Sequence, residues 1–162
     1  MPAIYYHSHR IGTDDLDQLG HANNLAFLRW MQSAAVKHSA AQGWPTERYL
    51  ELGCGWVVRS HQIEYLQPGM PDQEIVVKTW VADMQKVTSL RRYHILRRAE
   101  KKEILLAEAA TNWAFIHYKS GMPKRIPPEV AACFVVVPEI DAFELASREE
   151  SNREPSSSRP DS

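Results

Sequence analysis

The stretch DLDQLGHANNLAFLRWM, residues 15–31, decides the fold because a polar loop leads directly into the most apolar helical pattern of the chain. Asn23 can cap the first turn with its side-chain oxygen, and Gly43 with Pro45 ends the pattern. We therefore predict a helix from Asn23 or Asn24 to Gln42. Its apolar residues leave little room for a solvated face, so it should be covered on more than one side. The apolar residues of this predicted helix are Leu25, Phe27, Leu28, Trp30, Met31, Ala34 and Ala35.

The rest of the chain alternates in the manner of β-strands. A first strand is predicted at 4–11 and a short helix at 46–52. The remaining predicted strands lie at 56–66, 73–84, 88–98, 104–118 and, as an added edge strand, 133–137. The short, turn-like links between the long strands predict antiparallel neighbours. The predicted fold class is α+β, with a curled antiparallel sheet of five or six strands wrapped around one long central helix.

Length and composition indicate one ordinary globular domain. We place it at 1–146 and predict that 147–162, which is polar and lacks large apolar residues, is a disordered tail. The net charge of -1 does not favour nucleic acid as a partner, and no apolar run is long enough for a membrane span. With no signal peptide visible, Cys54 and Cys133 are expected to be free buried thiols of a cytoplasmic protein.

The junction before the helix carries the candidate chemistry. Asp17 lies in a loop that feeds a helix N-terminus, where backbone N–H groups lack partners and the helix dipole is positive. A carbonyl bound there could be polarised by the N–H of a first-turn residue such as Asn24. The Asp17 carboxylate could then attack it or activate water. The alternative remains open that Asp15, Asp17 and the asparagines only shape a turn and a cap.

Other polar residues allow further interpretations. His21 could act as an acid or orient the loop, and His7 and His9 lie near it in sequence, but the spacing fits no standard zinc pattern, so we expect no metal. Basic residues at strand turns are usually solvated, yet they are also what a phosphorylated carrier requires. The basic residues in question, on sheet faces and at turn tips, are Lys86, Arg91, Arg92, Arg97, Arg98, Lys101, Lys102, Lys124 and Arg125.

Several motifs in order resemble one family. Residues 15–31 resemble the D-x-D-x-x-G-H-x-N-N-x-x-Y-L motif of hotdog-fold acyl-CoA thioesterases, closest to the 4-hydroxybenzoyl-CoA thioesterase-like group. The resemblance covers about residues 4–137 and keeps the family's order and spacing. Its further segments are Ile63–Pro68, Ser89–Arg97, Ala107–Phe115 and Gly121–Pro127.

The resemblance implies hydrolysis of an acyl-CoA to a free acid and CoA. It implies Asp17 as nucleophile or general base, the backbone N–H of Asn24 as carbonyl donor, and CoA phosphate contacts near Lys86, Thr88, Ser89 and Arg125. It also implies a dimer or a dimer of dimers with the site between subunits. No cofactor is expected beyond the CoA of the substrate. Phe27 departs from the tyrosine of many relatives, so we expect it to pack.

Alternatives of a different class remain. A non-catalytic hotdog protein would bind an acyl-CoA or acyl carrier without turnover, and a hotdog hydratase would need Asp and His in a motif that is not found. An acyl-ACP thioesterase of the plant type would use Asn24 and His61. The acyl group itself is not predicted, because Trp30, Trp56, Trp80 and Trp113 could line a pocket or fill the core.

Overall fold

A computed structural model of the chain describes residues 3–138, and it contains five strands, two main helices and a short third helix. The tail predicted at 147–162 and the domain end at 146 lie outside the described residues. A 3-10 turn, Thr13–Asp15, follows the first strand. In chain order the other elements are β1 Tyr5–Arg10, α1 Asn24–Ala41, α2 Thr46–Leu52, β2 Cys54–Tyr65, β3 Glu74–Met84, β4 Thr88–Ala99, β5 Lys102–His117 and α3 Pro128–Ala131.

The five strands form one antiparallel sheet in the order β1-β3-β4-β5-β2. The main core cluster joins α1 to residues of β3, β4 and β5, as expected for a sheet curled around a central helix. The predicted α+β fold is therefore confirmed, with five strands rather than six.

The edge strand predicted at 133–137 is wrong. Only a single parallel bridge, Val81 with Val136, forms there, supported by a 2.8 Å hydrogen bond from the Val137 N–H to the Val81 carbonyl. The chain reaches this place from α3 through a turn, and Phe134 is buried in a second core cluster. Anchoring Phe134 leaves too few residues in extended conformation to pair as a strand.

Helix α1 packs one face on the sheet, with eight of its eighteen residues buried, and its opposite face, which includes Leu25 and Val36, is exposed. The expectation that the helix is covered on more than one side is therefore not met within residues 3–138. Ala26, Met31 and Ala34 are fully buried, and the aromatic rings of Phe27 and Trp30 pack 4.8 Å apart. Asn23 caps the helix as predicted, its side chain accepting from the Leu25 N–H at 2.9 Å. The expected packing role of Phe27 is confirmed.

Strand β2 forms an open edge of the sheet. It pairs with β5 on one side, and most of its residues from Val58 to Tyr65 are exposed. Along with this edge, the apolar side chains of Leu19 and Leu25 are exposed beside the start of α1. An edge of this length offers unpaired N–H and C=O groups to another strand.

One charged residue of β3 is buried. Lys78 is only 3% exposed, and its ammonium lies 3.1 Å from a carboxylate oxygen of Glu103. The residues around Trp80, including Ile4 and Val137, pack as a small third cluster. This face of β3 is therefore covered in part by the two ends of the described chain.

Candidate active site

The loop before α1 is a small hairpin. Leu16 and Ala22 form an antiparallel bridge, and the Asn23 N–H donates to the Asp15 carbonyl at 2.6 Å. Gly20 occupies the turn with a φ of 76°, a conformation that favours glycine. At the base, the Ala22 N–H donates to the Gly69 carbonyl at 2.7 Å. The sequence motif thus builds a rigid loop.

Asp17 uses one carboxylate oxygen to hold this turn together. Its Oδ1 accepts from the backbone N–H of Leu19 at 2.9 Å and of His21 at 3.2 Å. No residue within 3–138 donates to Oδ2, and the side chain is exposed. The turn-forming and the catalytic interpretations therefore do not exclude each other, because a different oxygen serves each of them.

The first turn of α1 presents an unused backbone donor. Asn23 takes the Leu25 N–H with its side chain and the Ala26 N–H with its carbonyl. Within the described part of the chain this leaves the Asn24 N–H without an acceptor, as is usual at a helix start. The Tyr65 hydroxyl donates to the Asn24 carbonyl at 3.1 Å, which ties the helix start to the end of β2.

Asp15, in contrast, is a structural residue. It is 7% exposed, and its Oδ2 lies 2.8 Å from His9 Nε2 and accepts from the Gly12 N–H at 2.9 Å. Arg29 approaches its Oδ1 at 3.4 Å. Burial alone raises the pKa of this carboxyl, but the hydrogen bonds from His9, Gly12 and Arg29 outweigh it and leave the pKa below its ordinary value.

Replacing Asp15 by Asn is expected to cost about 1–3 kcal/mol of unfolding free energy at pH 7, because charge-assisted hydrogen bonds are lost. A depressed pKa in the folded state means that wild type holds this stability above the unfolded pKa, near pH 4, and loses it as the pH falls through the folded value. Urea titrations should therefore show a smaller difference in unfolding free energy between wild type and the variant at pH 3 than at pH 7. A gap that is equal at both pH values contradicts the ionised role.

The remaining predicted site residues fall into two groups. His21 contributes its backbone, donating to Asp17 Oδ1 and accepting from the Asp17 N–H at 2.8 Å. Lys86 and Arg125 come together because the Ile126 N–H donates to the Lys86 carbonyl at 2.8 Å. Thr88 begins β4 close to them, whereas the buried Ser89 hydroxyl donates to the Asp83 carbonyl at 2.8 Å.

A cavity of about 250 Å³ lies under the C-terminal half of α1. Trp56, Ser89 and Trp113 line it, whereas Trp30 and Trp80 belong to core clusters. Sequence reasoning grouped Arg91 with solvated basic residues, which is wrong because Arg91 is buried and lines this cavity. Strand alternation could have revealed it, since Arg91 shares a face with Tyr93 and Ile95.

The surroundings of the remaining histidine, thiols and acidic groups are as follows. His61 Nδ1 is hydrogen-bonded to the Thr111 hydroxyl at 2.7 Å across the β2–β5 pair. Cys54 and Cys133 are free thiols, of which Cys54 is buried and Cys133 is only half-buried. Within 3–138 no three His, Cys, Asp or Glu side chains are grouped to hold a metal ion. None of the helices described there has the length and apolar character to cross a membrane.

Comparison with known proteins extends these observations. The family model described as the thioesterase-like superfamily matches residues 11–134. A comparison with curated proteins found no match. Several solved structures share the fold.

One such structure is a protein from Lactobacillus plantarum assigned as an oleoyl thioesterase, with a TM-score of 0.75, 23% identity and coverage of 84% of this chain and 53% of that protein. This chain thus spans about half the length of that relative. A 1,4-dihydroxy-2-naphthoyl-CoA thioesterase from Synechocystis gives a TM-score of 0.74 at 14% identity, covering 80% and 94% of the two chains.

A third similar structure is a mutant 4-hydroxybenzoyl-CoA thioesterase complexed with 4-hydroxybenzoyl-CoA. Its TM-score is 0.75 at 16% identity, and the match covers 83% of this chain and all of that one, 100%. At such identities the likeness shows the fold. The expected resemblance to hotdog thioesterases, the 4-hydroxybenzoyl-CoA group included, is confirmed at that level.

Proposed function

The chain belongs to the thioesterase-like superfamily, and from this premise we propose that it hydrolyses an acyl-CoA thioester to a carboxylic acid and CoA. One observation carries the proposal. Within residues 3–138, Asp17 has one carboxylate oxygen fixed by two backbone N–H groups and the other without a donor, in the loop that leads into the unused first-turn N–H of α1. A base or nucleophile and a carbonyl donor are thus held by one rigid loop.

The reaction would begin with the thioester carbonyl accepting a hydrogen bond from the Asn24 N–H. This donor and the positive end of the helix dipole stabilise the negative charge that develops on the carbonyl oxygen. Because a backbone donor does not reorient during the reaction, this contribution requires no movement of the protein.

Asp17 Oδ2 would complete the chemistry in one of two ways. As a nucleophile it bonds to the carbonyl carbon, expels the CoA thiolate and leaves a mixed anhydride that water hydrolyses. As a general base it removes a proton from a water molecule, whose oxygen attacks the carbonyl while CoA leaves. In both, the hydrogen bonds to Oδ1 from Leu19 and His21 fix the direction of Oδ2, so His21 is a positioning residue through its backbone.

The CoA arm would lie along the basic turn where Lys86 and Arg125 meet, with Thr88 beside them. Cations at this place can pair with phosphate oxygens. Ser89, which is buried against Asp83, is better placed to face the acyl group than a phosphate. No cofactor beyond the CoA of the substrate enters this scheme.

We further propose that the active protein is a dimer formed by pairing β2 with its copy. The exposed edge supplies unpaired backbone groups, and the exposed Leu19 and Leu25 supply apolar surface beside the site. A two-fold axis through β2 would join the two sheets into one. A dimer of dimers remains compatible with this pairing.

The function is tested by measuring thiol release from aromatic, short-chain and long-chain acyl-CoAs, with the same acyl groups on an acyl carrier protein as a parallel series. We expect hydrolysis of CoA thioesters with a clear preference for one acyl class. Binding of every acyl-CoA without turnover would replace the proposal by a non-catalytic binding role. Turnover only of the carrier-protein series would replace it by an acyl-ACP thioesterase.

A further inference from the structure

The cavity under α1 is lined mainly by aromatic and small side chains and has one positively charged wall. At about 250 Å³ it is near the lower end of small-ligand sites, which span roughly 300–1,000 Å³. Such a space suits a short acyl group. The residues that matter for its chemistry are Ser39, Tyr49, Trp56, Arg91, Trp113 and Phe134.

Arg91 supplies the charge of this wall. The side chain is 6% exposed, and its Nη1 donates to His38 Nδ1 at 2.9 Å and to the Thr79 hydroxyl at 3.1 Å. The guanidinium carbon lies 5.9 Å from the centre of the Phe134 ring. Within 3–138 no carboxylate pairs with Arg91, and no group accepts from its Nε or Nη2. A buried cation without a counter-ion is costly.

The His38 side chain neither neutralises the positive charge of Arg91 nor adds a second positive charge beside it. Burial first, and the nearby Arg91 charge second, lower the pKa of His38 to about 3, so the ring is neutral and its Nδ1 accepts the Arg91 proton. Tyr5 stacks on the ring at 5.4 Å and Phe134 meets it edge-on at 5.4 Å. The aromatic packing fixes the imidazole, which in turn orients the guanidinium.

The other polar groups of the wall leave donors in excess. Trp56 Nε1 donates to the Tyr49 hydroxyl, which lies 2.9 Å from the Ser39 hydroxyl, and Ser39 donates to a backbone carbonyl. These groups satisfy one another. Trp113 Nε1 is buried beside the Tyr93 hydroxyl, so the donors in excess are those of Arg91. A ligand that fills the cavity therefore needs acceptor oxygens rather than donors.

The cavity is too far from the helix start of its own chain to hold the same acyl group. It is lined by α1 residues between Gln32 and Ser39, which lie about 12–22 Å along the helix axis from Asn24 at 1.5 Å per residue. Antiparallel pairing of β2 with β2 of a second subunit would instead bring the helix start of one subunit towards the cavity of the other. Tyr65, which contacts Asn24, is then brought towards the opposite end of the copied strand, where Trp56 lines the second cavity.

We propose that the acyl group of the substrate ends in a carboxylate, which pairs with Arg91 of one subunit while its thioester lies at Asn24 and Asp17 of the other. This substrate class rests on the proposed thioesterase function. The carboxylate fills the unpaired Nη2 and Nε donors in the two-point geometry that arginine favours. A neutral acyl chain of the same length would leave the buried cation unpaired.

The experiment compares adipoyl-CoA with hexanoyl-CoA, and suberoyl-CoA with octanoyl-CoA, each pair differing only in the terminal carboxylate. Wild type is expected to favour the carboxylate member in kcat/KM by roughly ten- to hundred-fold, the effect of one hydrogen-bonded charge pair. Arg91→Met should reverse or abolish the preference. Arg98→Met, the same change at an exposed position of β4, should retain it.

The outcomes separate the two proposals. Hydrolysis with no preference in wild type overturns the carboxylate inference and leaves the thioesterase function standing, and this result does not depend on whether Arg91→Met folds. If no thioester is hydrolysed, the function fails, and calorimetry with adipoyl-CoA and hexanoyl-CoA then decides the inference alone. Tighter binding of adipoyl-CoA supports the Arg91 site, and equal binding overturns it.

Discussion

Asp17→Asn is expected to lower kcat for the best acyl-CoA by at least about a hundredfold, the contribution typical of a positioned base or nucleophile. The amide has nearly the same shape, and its oxygen can still accept from the Leu19 and His21 N–H groups that now hold Oδ1. The loop should keep its hairpin. What is lost is the negative charge on Oδ2, so the variant can neither attack the carbonyl nor take a proton from water.

Stopped-flow and steady-state assays of thiol release measure this effect, and the melting temperature checks that the variant is folded. Asp14→Asn is the matched control, because Asp14 is an exposed neighbour whose side chain makes no hydrogen bond within 3–138. It should retain wild-type kcat. We expect Asp17→Asn to keep the KM and the melting temperature of wild type. A variant with near-normal kcat would remove Asp17 from the reaction.

The fold was predictable because it rests on local patterns. The apolar residues of α1 recur at helical spacing, and the cap at Asn23 and the stop at Gly43 frame them. Strand alternation and short links then leave an antiparallel sheet as the simplest cover for that helix. The segment 133–137 was misjudged because burial of Phe134, a tertiary effect, overrode its strand propensity.

The site was predictable only where it is contiguous in sequence. Asp17, Gly20 and Asn24 fall within one loop, so a motif can show them together. The contact of Arg91 with His38 joins residues 53 positions apart, and it depends on how β4 packs against α1. No spacing rule predicts such a pair. The division of labour between the two oxygens of Asp17 likewise becomes visible only with the hydrogen bonds of the hairpin.

Proline substitution on the open edge of β2 is expected to weaken the dimer while leaving the fold of each subunit intact. Amide direction alternates along a strand, so one of the neighbours His61 and Gln62 points its N–H away from β5. Proline at that position keeps every hydrogen bond to β5 but removes a donor from the pairing with a second β2. Two bonds lost per dimer, at about 1 kcal/mol each, weaken the dimer Kd about thirtyfold, and steric conflict at the rings adds to this.

Sedimentation at micromolar concentration measures the oligomeric state, and the acyl-CoA assay measures the effect of the substitution on activity. The outward-facing proline variant should retain its far-UV circular dichroism, show a dimer Kd raised at least about thirtyfold and lose kcat/KM in proportion to its monomer fraction, because each monomer carries only part of a site. Alanine at the same position keeps the N–H and should behave as wild type. Since the helix start of one subunit is proposed to work with the cavity of the other, mixing Asp17→Asn with Arg91→Met chains should raise kcat/KM for adipoyl-CoA above that of either variant alone. A monomeric variant with full activity on adipoyl-CoA would overturn the shared site, which is inferred because the cavity lies too far along α1 from Asn24 for a six-carbon acyl group to span.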